Sequence, residues 1–278
     1  MKHALLSPRP DNAFSDVRQA KRIALLTLRT DGLRLHLVWA ALICLVLGGG
    51  GLYLMENVFA VVPWVELYYD APLAFYALDA LYTALDIGYI VLLVCPLLYG
   101  AMSVFYAAAD GRQLPLSCLF DAFSCSKSYG RAILIMTAKI LPRALTVALL
   151  VTLCRAALGA QSLIGALLWC LLALIVLVGA ALVLGLDDAL LPLALKNETV
   201  GPLKLYRGSL RLCAPRLVRI LRFKLGFALW GLASVLTLGV LLLAHALPYY
   251  TLTHAAWADN YYFEHSCPDG ISPYGKDG

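Results

Sequence analysis

The sequence predicts an all-α, polytopic transmembrane helical bundle of about five spans, with basic amphipathic helices at the membrane interface. Three observations predict it. The 278 residues are 62% hydrophobic and only 14% charged, against about 45–50% and a quarter in soluble domains. Apolar residues gather in runs at about 35–55, 85–108, 140–158, 163–186 and 225–247. Each is long enough to supply the roughly 20 helical residues that a hydrocarbon core of about 30 Å requires. The basic residues are sorted between these runs rather than scattered. Together with a mean hydropathy of +0.80, these features exclude a secreted disulfide scaffold and a nucleic-acid binder.

The charge map sets the expected topology. Lys2, Arg9, Arg18, Lys21, Arg22, Arg29 and Arg34 precede the first run, and no basic residue occurs between Arg34 and Arg112. Arg112, Lys127, Arg131, Lys139 and Arg143 lie between the second run and the core of the third. Lys196, Lys204, Arg207, Arg211, Arg216, Arg219, Arg222 and Lys224 lie between the fourth and fifth, leaving only Arg155 and Lys276. An N-terminus inside obeys the positive-inside rule, so the expectation is a multi-pass protein of the cell (cytoplasmic, inner) membrane, N-terminus in and C-terminus out. Run 35–55 comes too late and is too long for a cleaved signal, and reads as a signal anchor. Cys44, Cys95, Cys154 and Cys170 fall in apolar runs, Cys118, Cys125 and Cys213 on the reducing side, and Cys267 alone outside. That distribution supports no intramolecular disulfide framework.

Between the runs lie three basic lead-ins. Residues 13–34 follow Asp11 and Asn12, good N-cap types, and space Phe14, Val17, Ala20, Ala24 and Leu28 among Arg18, Lys21, Arg22 and Arg29. Such a helix lies on an anionic surface. The second, 116–139, carries Leu116, Leu119, Phe120 and Phe123 on one face. The third, 203–224, puts Leu205, Leu212, Ile220 and Leu221 opposite Arg207, Arg211, Arg219 and Arg222. Pro215 predicts a break near Ala214, because proline removes a hydrogen bond and clashes with the preceding turn. Residues 56–84 read as an exterior loop on the outer leaflet, being rich in Trp and Tyr. The four glycines Gly48 to Gly51 read as a helix end at Leu47 or a kink, since each costs about 1 kcal/mol relative to alanine. The tail from Pro248 is again aromatic and exterior. Residues 1–265 are expected to form one membrane domain, with 266–278 a flexible tail.

Catalytic signatures are missing: no H-E-x-x-H, G-x-S-x-G or phosphate-binding loop is present. His254, Asp259, Glu264, His265 and Cys267 crowd the tail without metal-ligand spacing. No catalytic residue, cofactor or metal is expected. Ionisable residues at membrane depth are the remaining candidates. Asp86 starts the second span on the face of Asp79 and is the candidate for transport. Lys139 and Arg143 share a face of the third span, while Asp187 and Asp188 close the fourth. The short turn between those spans makes them antiparallel neighbours, so Lys139 or Arg143 should pair with Asp187 or Asp188. That group reads as an ion pair or, alternatively, a gate or an anionic-headgroup site.

The segment from Tyr206 to Tyr262 resembles the C-terminal part of an uncharacterised bacterial membrane family, domain of unknown function 975. Ser209, Leu212, Phe227, Trp230, Gly239, Pro248, Tyr249, Tyr261 and Tyr262 carry the likeness, with Gly100, Phe120 and Phe123 in the middle of the chain. Lys196-Asn197-Glu198-Thr199 stands where the family has Asp-x-Pro. The resemblance implies a bacterial integral membrane protein and supplies no catalytic residue. The leading functional expectation is a non-enzymatic membrane protein binding anionic lipid, a membrane partner or a second copy through its basic cytoplasmic helices. Each such Lys or Arg is worth about 1 kcal/mol at the surface. A transporter or permease subunit is the alternative, and a membrane enzyme acting on lipid headgroups comes third.

Overall fold

The computed structural model describes residues 13–29, 32–160, 162–197, 200–237 and 245–258, and among these there is no strand. The elements run α1 (Ala13–Leu28), α2 (Leu33–Ala60), α3 (Trp64–Asp70), α4 (Pro72–Tyr89) and α5 (Cys95–Ala109). There follow α6 (Ser126–Leu158), α7 (Leu163–Leu186), α8 (Leu190–Lys196), α9 (Pro202–Cys213), α10 (Leu217–Leu225), α11 (Ala228–Leu236) and α12 (Leu247–Ala258). A π-helical turn, Ile90–Val94, joins α4 to α5 in one continuous helix of 38 residues. Four helices are long and apolar enough to cross a membrane: Leu33–Ala60, Pro72–Ala109, Ser126–Leu158 and Ile164–Leu182.

The polypeptide leaves the apolar faces of three of these helices largely uncovered, and half-covers that of Pro72–Ala109. None of the apolar stretch of α7 is buried within the protein, and only 11% of that of α6 is. Hydrophobic packing is concentrated instead at the end where the basic residues gather. There Ala20 and Ala24 of α1, Phe105 of α5, Leu190 and Leu193 of α8, Leu205, Ile220 and Leu252 form one buried cluster. The division is physical: an all-apolar helix gains nothing by leaving lipid for protein, whereas short amphipathic helices must bury a stripe against each other.

Several sequence expectations change. The glycine run does not end the first span, because α2 passes through Gly48–Gly51 to Ala60. A helix end inside the bilayer would strand backbone groups at several kcal/mol each, which outweighs the glycine penalty. The run serves close approach: Tyr89 lies over Gly51, where a Cβ would collide with its phenol, and donates a hydrogen bond to the Leu47 carbonyl.

Segment 56–84 is a helical hairpin rather than a loop. Pro63 sits at the N-cap of α3 and Pro72 opens α4, positions where the missing N–H is not needed. Trp64 and Tyr68 meet Phe75 edge-on at 5.9 and 5.2 Å between ring centroids.

The second lead-in is not a separate amphipathic helix. A 3-10 segment, Leu116–Phe123, precedes α6, which begins at Ser126 and runs unbroken past Lys139 and Pro142. The 3-10 segment rests directly on Gly100, where a Cβ would stand within 3 Å of three backbone atoms of Leu119. Gly100→Ala is expected to lower stability by about 1–3 kcal/mol, because two backbones must separate. Gly50→Ala, with nothing within 4 Å, should be close to neutral in the same thermal unfolding measurement.

The fifth run is divided. Helix α11 ends at Leu236, 238–244 lie outside the described residues, and α12 packs against α1 and α5. Lys224 and His254 both contact Asp188. Both ends of the run therefore stand with Asp188 at the same end of the protein. A single crossing by 225–247, with an exterior chain beyond it, does not fit this geometry. The expected helix caps Asp11 and Asn12, and the tail 266–278, lie outside the described residues.

Candidate functional site

The basic lead-in 203–224 forms the helices α9 and α10, divided by a 3-10 turn at Ala214–Arg216. The break falls where Pro215 predicts it. Leu205, Leu212, Ile220 and Phe223 are buried, while Lys204, Arg207, Arg211, Arg219 and Arg222 are exposed. The apolar stripe packs on the protein's own core, not on lipid. The outward face still carries Leu203, Val218 and Leu225 among the basic residues. Helix α1 adds Arg22 and Arg29 beside exposed Leu25 and Leu26.

Beneath this surface is a charged junction. Asp187 and Asp188 follow the last turn of α7, where a helix dipole disfavours negative charge. Side chains from three other helices offset that cost. Arg143 of α6 donates from Nη1 and Nη2 to the two Asp187 carboxylate oxygens at 2.7 and 2.9 Å, the paired geometry that suits guanidinium. Lys224 of α10 approaches Asp188 Oδ1 at 2.8 Å. His254 of α12 places Nε2 2.7 Å from Asp188 Oδ2, and its Nδ1 lies 2.7 Å from the Tyr106 hydroxyl of α5. Both carboxylates are almost fully buried. Burial opposes ionisation of Asp188. The charge and hydrogen bond of His254 and the charges of Lys224 and Lys139 outweigh it, holding the carboxyl well below the usual carboxylate range. Burial, with Asp188 nearby, pushes the Tyr250 phenol up. Phe223 and Trp257 stack over the junction at 4.8 Å.

Neighbouring groups fix the backbone around it. Ser209 Oγ donates to the Leu186 carbonyl at 3.0 Å, satisfying one open end of α7. Arg131 donates to the carbonyls of Ala194 and Asn197 at 2.9 and 2.6 Å, and to that of Val200 at 2.5 Å, closing the end of α8.

The structure thus brings Arg143 and Asp187 together and leaves Lys139 one turn away. Arg207, Arg211, Arg219 and Arg222 lie on the separate outer surface. Asp86 is half-buried in α4, with one carboxylate oxygen making no hydrogen bond. Nothing in the sequence marks Tyr106 or Lys224 as site residues, and His254 stands there only in a tail group without metal-ligand spacing. Their partners lie 148 and 66 residues away for the two His254 contacts, and no local pattern signals such pairing. Of the tail group considered for metal binding, His254 is described, and it is occupied by Asp188 and Tyr106. Among the described residues no three His, Cys, Asp or Glu side chains are placed to hold a metal ion.

A cleft of about 290 Å³ opens between α5, the 3-10 segment and the end of α8, lined by Tyr99, Ser103, Tyr106, Arg112, Asp121 and Lys196 among others. It reaches neither Asp86 nor Arg143. Fold and site together define an all-α helical protein with membrane-spanning helices and a charged junction at one end. Compared with known protein families, curated proteins and solved structures, the chain matches none.

Proposed function

We propose that this chain is a non-enzymatic integral protein of a bacterial cytoplasmic membrane, binding anionic lipid, or an equally acidic membrane partner, through α9 and α10. The observation that carries the reading is the exposed face of these helices. Five basic side chains there stand beside exposed Leu203, Val218 and Leu225, so charge attraction and apolar insertion act on one surface. The topology that accompanies it has four crossings with both ends cytoplasmic. It keeps the three basic clusters inside, as the positive-inside rule asks. Membership of the family resembling domain of unknown function 975 belongs to the same proposal. Its supporting residues Ser209, Leu212, Phe227 and Tyr249 are all buried in the basic-end core. The alternative, a transporter or permease subunit, would call for a water path to Asp86 or Arg143.

Hydrogen exchange on the full-length protein in nanodiscs tests the reading. Amides of 203–224 should exchange more slowly in phosphatidylglycerol than in phosphatidylcholine. The difference should shrink at about 0.5 M salt, where the screening length falls to a few ångströms. Identical exchange in both lipids would show that the basic residues serve orientation alone.

A further inference from the structure

We infer that Lys139 and the open side of the charged junction form a discrete site for the phosphate of one anionic phospholipid. The inference deepens the lipid-binding reading, but it concerns a single bound molecule and a different set of side chains.

The charge balance of the junction motivates it. Among the described residues, Lys139, Arg143 and Lys224 face Asp187 and Asp188, three cations against two carboxylates. Asp187 is taken by Arg143, and Asp188 by Lys224 and His254. Lys139 lies within the field of both carboxylates and of both neighbouring cations. Its ammonium makes no hydrogen bond or ion pair with any described side chain. A cation left without a counter-ion in low dielectric is costly, and an anion beside it removes that cost.

Depth identifies the anion. The apolar sequence of α7 continues through Val183, Leu184, Gly185 and Leu186, and Asp187 follows it directly. A headgroup layer of about 5–7 Å begins where the hydrocarbon core ends. The junction therefore stands at the boundary between hydrocarbon and headgroups, within reach of the lipid phosphates. It is also open to them: the Arg143 and Lys224 side chains remain 33% and 29% exposed, and the apolar stretch of the adjoining α7 has no protein cover. Lys139 supplies ammonium donors, and Arg143 and Lys224 supply further positive charge at the rim.

Thermal unfolding of the full-length protein in a neutral detergent tests this, with phosphatidylglycerol, phosphatidylcholine and inorganic phosphate as separate additives. Phosphatidylglycerol should raise the midpoint of the wild type by about 4 °C or more at saturation, and phosphatidylcholine by less than half as much. Lys139→Gln should be no less stable than wild type without lipid, since the uncompensated charge is gone, and should gain less than half the wild-type shift from phosphatidylglycerol. Lys139→Arg should regain the shift. Equal shifts for wild type and Lys139→Gln would overturn the site. A full shift from millimolar inorganic phosphate would overturn its assignment to lipid. The double variant Arg207→Gln/Arg211→Gln separates the two readings, because it weakens the outer basic face yet should keep the phosphatidylglycerol shift. Loss of the shift there instead would assign it to the outer face and remove the site. Should Lys139→Gln not fold, native mass spectrometry of the wild type decides: one retained anionic phospholipid supports the site, and none overturns it.

Discussion

Asp188→Asn is expected to destabilise the protein by about 3–5 kcal/mol, the usual penalty for removing one partner of a buried ionic group and stranding the other. Asparagine keeps the size of the side chain but leaves Lys224 and His254 facing a neutral amide. The carboxyl of Asp188 sits below its ordinary range because the cations around it outweigh its burial. A depressed carboxylate stabilises the fold at pH above its unfolded value, about 3.9. That contribution is lost as pH falls through the folded value. Wild-type stability should therefore hold through neutral and mildly acidic pH and fall away below about pH 4. The variant should start lower and show less of that acid-side loss. Denaturant or thermal unfolding across pH 3–8 measures both effects. Equal stability of variant and wild type at pH 7 would show that the junction contributes nothing.

Impermeant thiol labelling should give an all-or-none result at the other end of the chain. His254 and Lys224 share one carboxylate, so the chain at residue 254 stands on the same side as the α9–α10 surface. With that surface cytoplasmic, Cys267 should resist an impermeant reagent in intact cells and react once the membrane is opened. A cysteine placed at Ala160, in the turn between α6 and α7, is the control for the outer side. Reaction of Cys267 in intact cells would restore a fifth crossing.

Composition and run length made the helical fold and four of its spans legible, because a 20-residue apolar run has few other fates. The break at Ala214 was legible for a similarly local reason, the geometry of Pro215. Pairing of Arg143 with Asp187 followed from one short turn, Gly159 to Ser162, which makes α6 and α7 antiparallel neighbours. The misreadings arose where hydropathy is silent about the return of the chain. Run 225–247 has the composition of a crossing. The residues that tie its two ends to one point, Lys224 and His254, look like a topology signal and a tail histidine when read alone. Gly48–Gly51 was judged by a penalty measured in water, where an exposed peptide group can bond to solvent. In lipid that escape is closed, and the helix continues.

The junction also fixes an order of assembly. Asp188 precedes two of its partners in the chain, so the carboxylate is synthesised well before Lys224 and His254 exist. At about 5–20 residues per second, the ribosome needs several seconds to supply residue 254 after residue 188. Through that interval Asp188 has no imidazole beside it, and Tyr106 waits with a hydroxyl that α12 will later engage. The last described helix, α12, therefore completes the basic end only after the four long apolar helices have been synthesised. A chain shortened before residue 254 would keep all four apolar helices and lack the imidazole partner of Asp188.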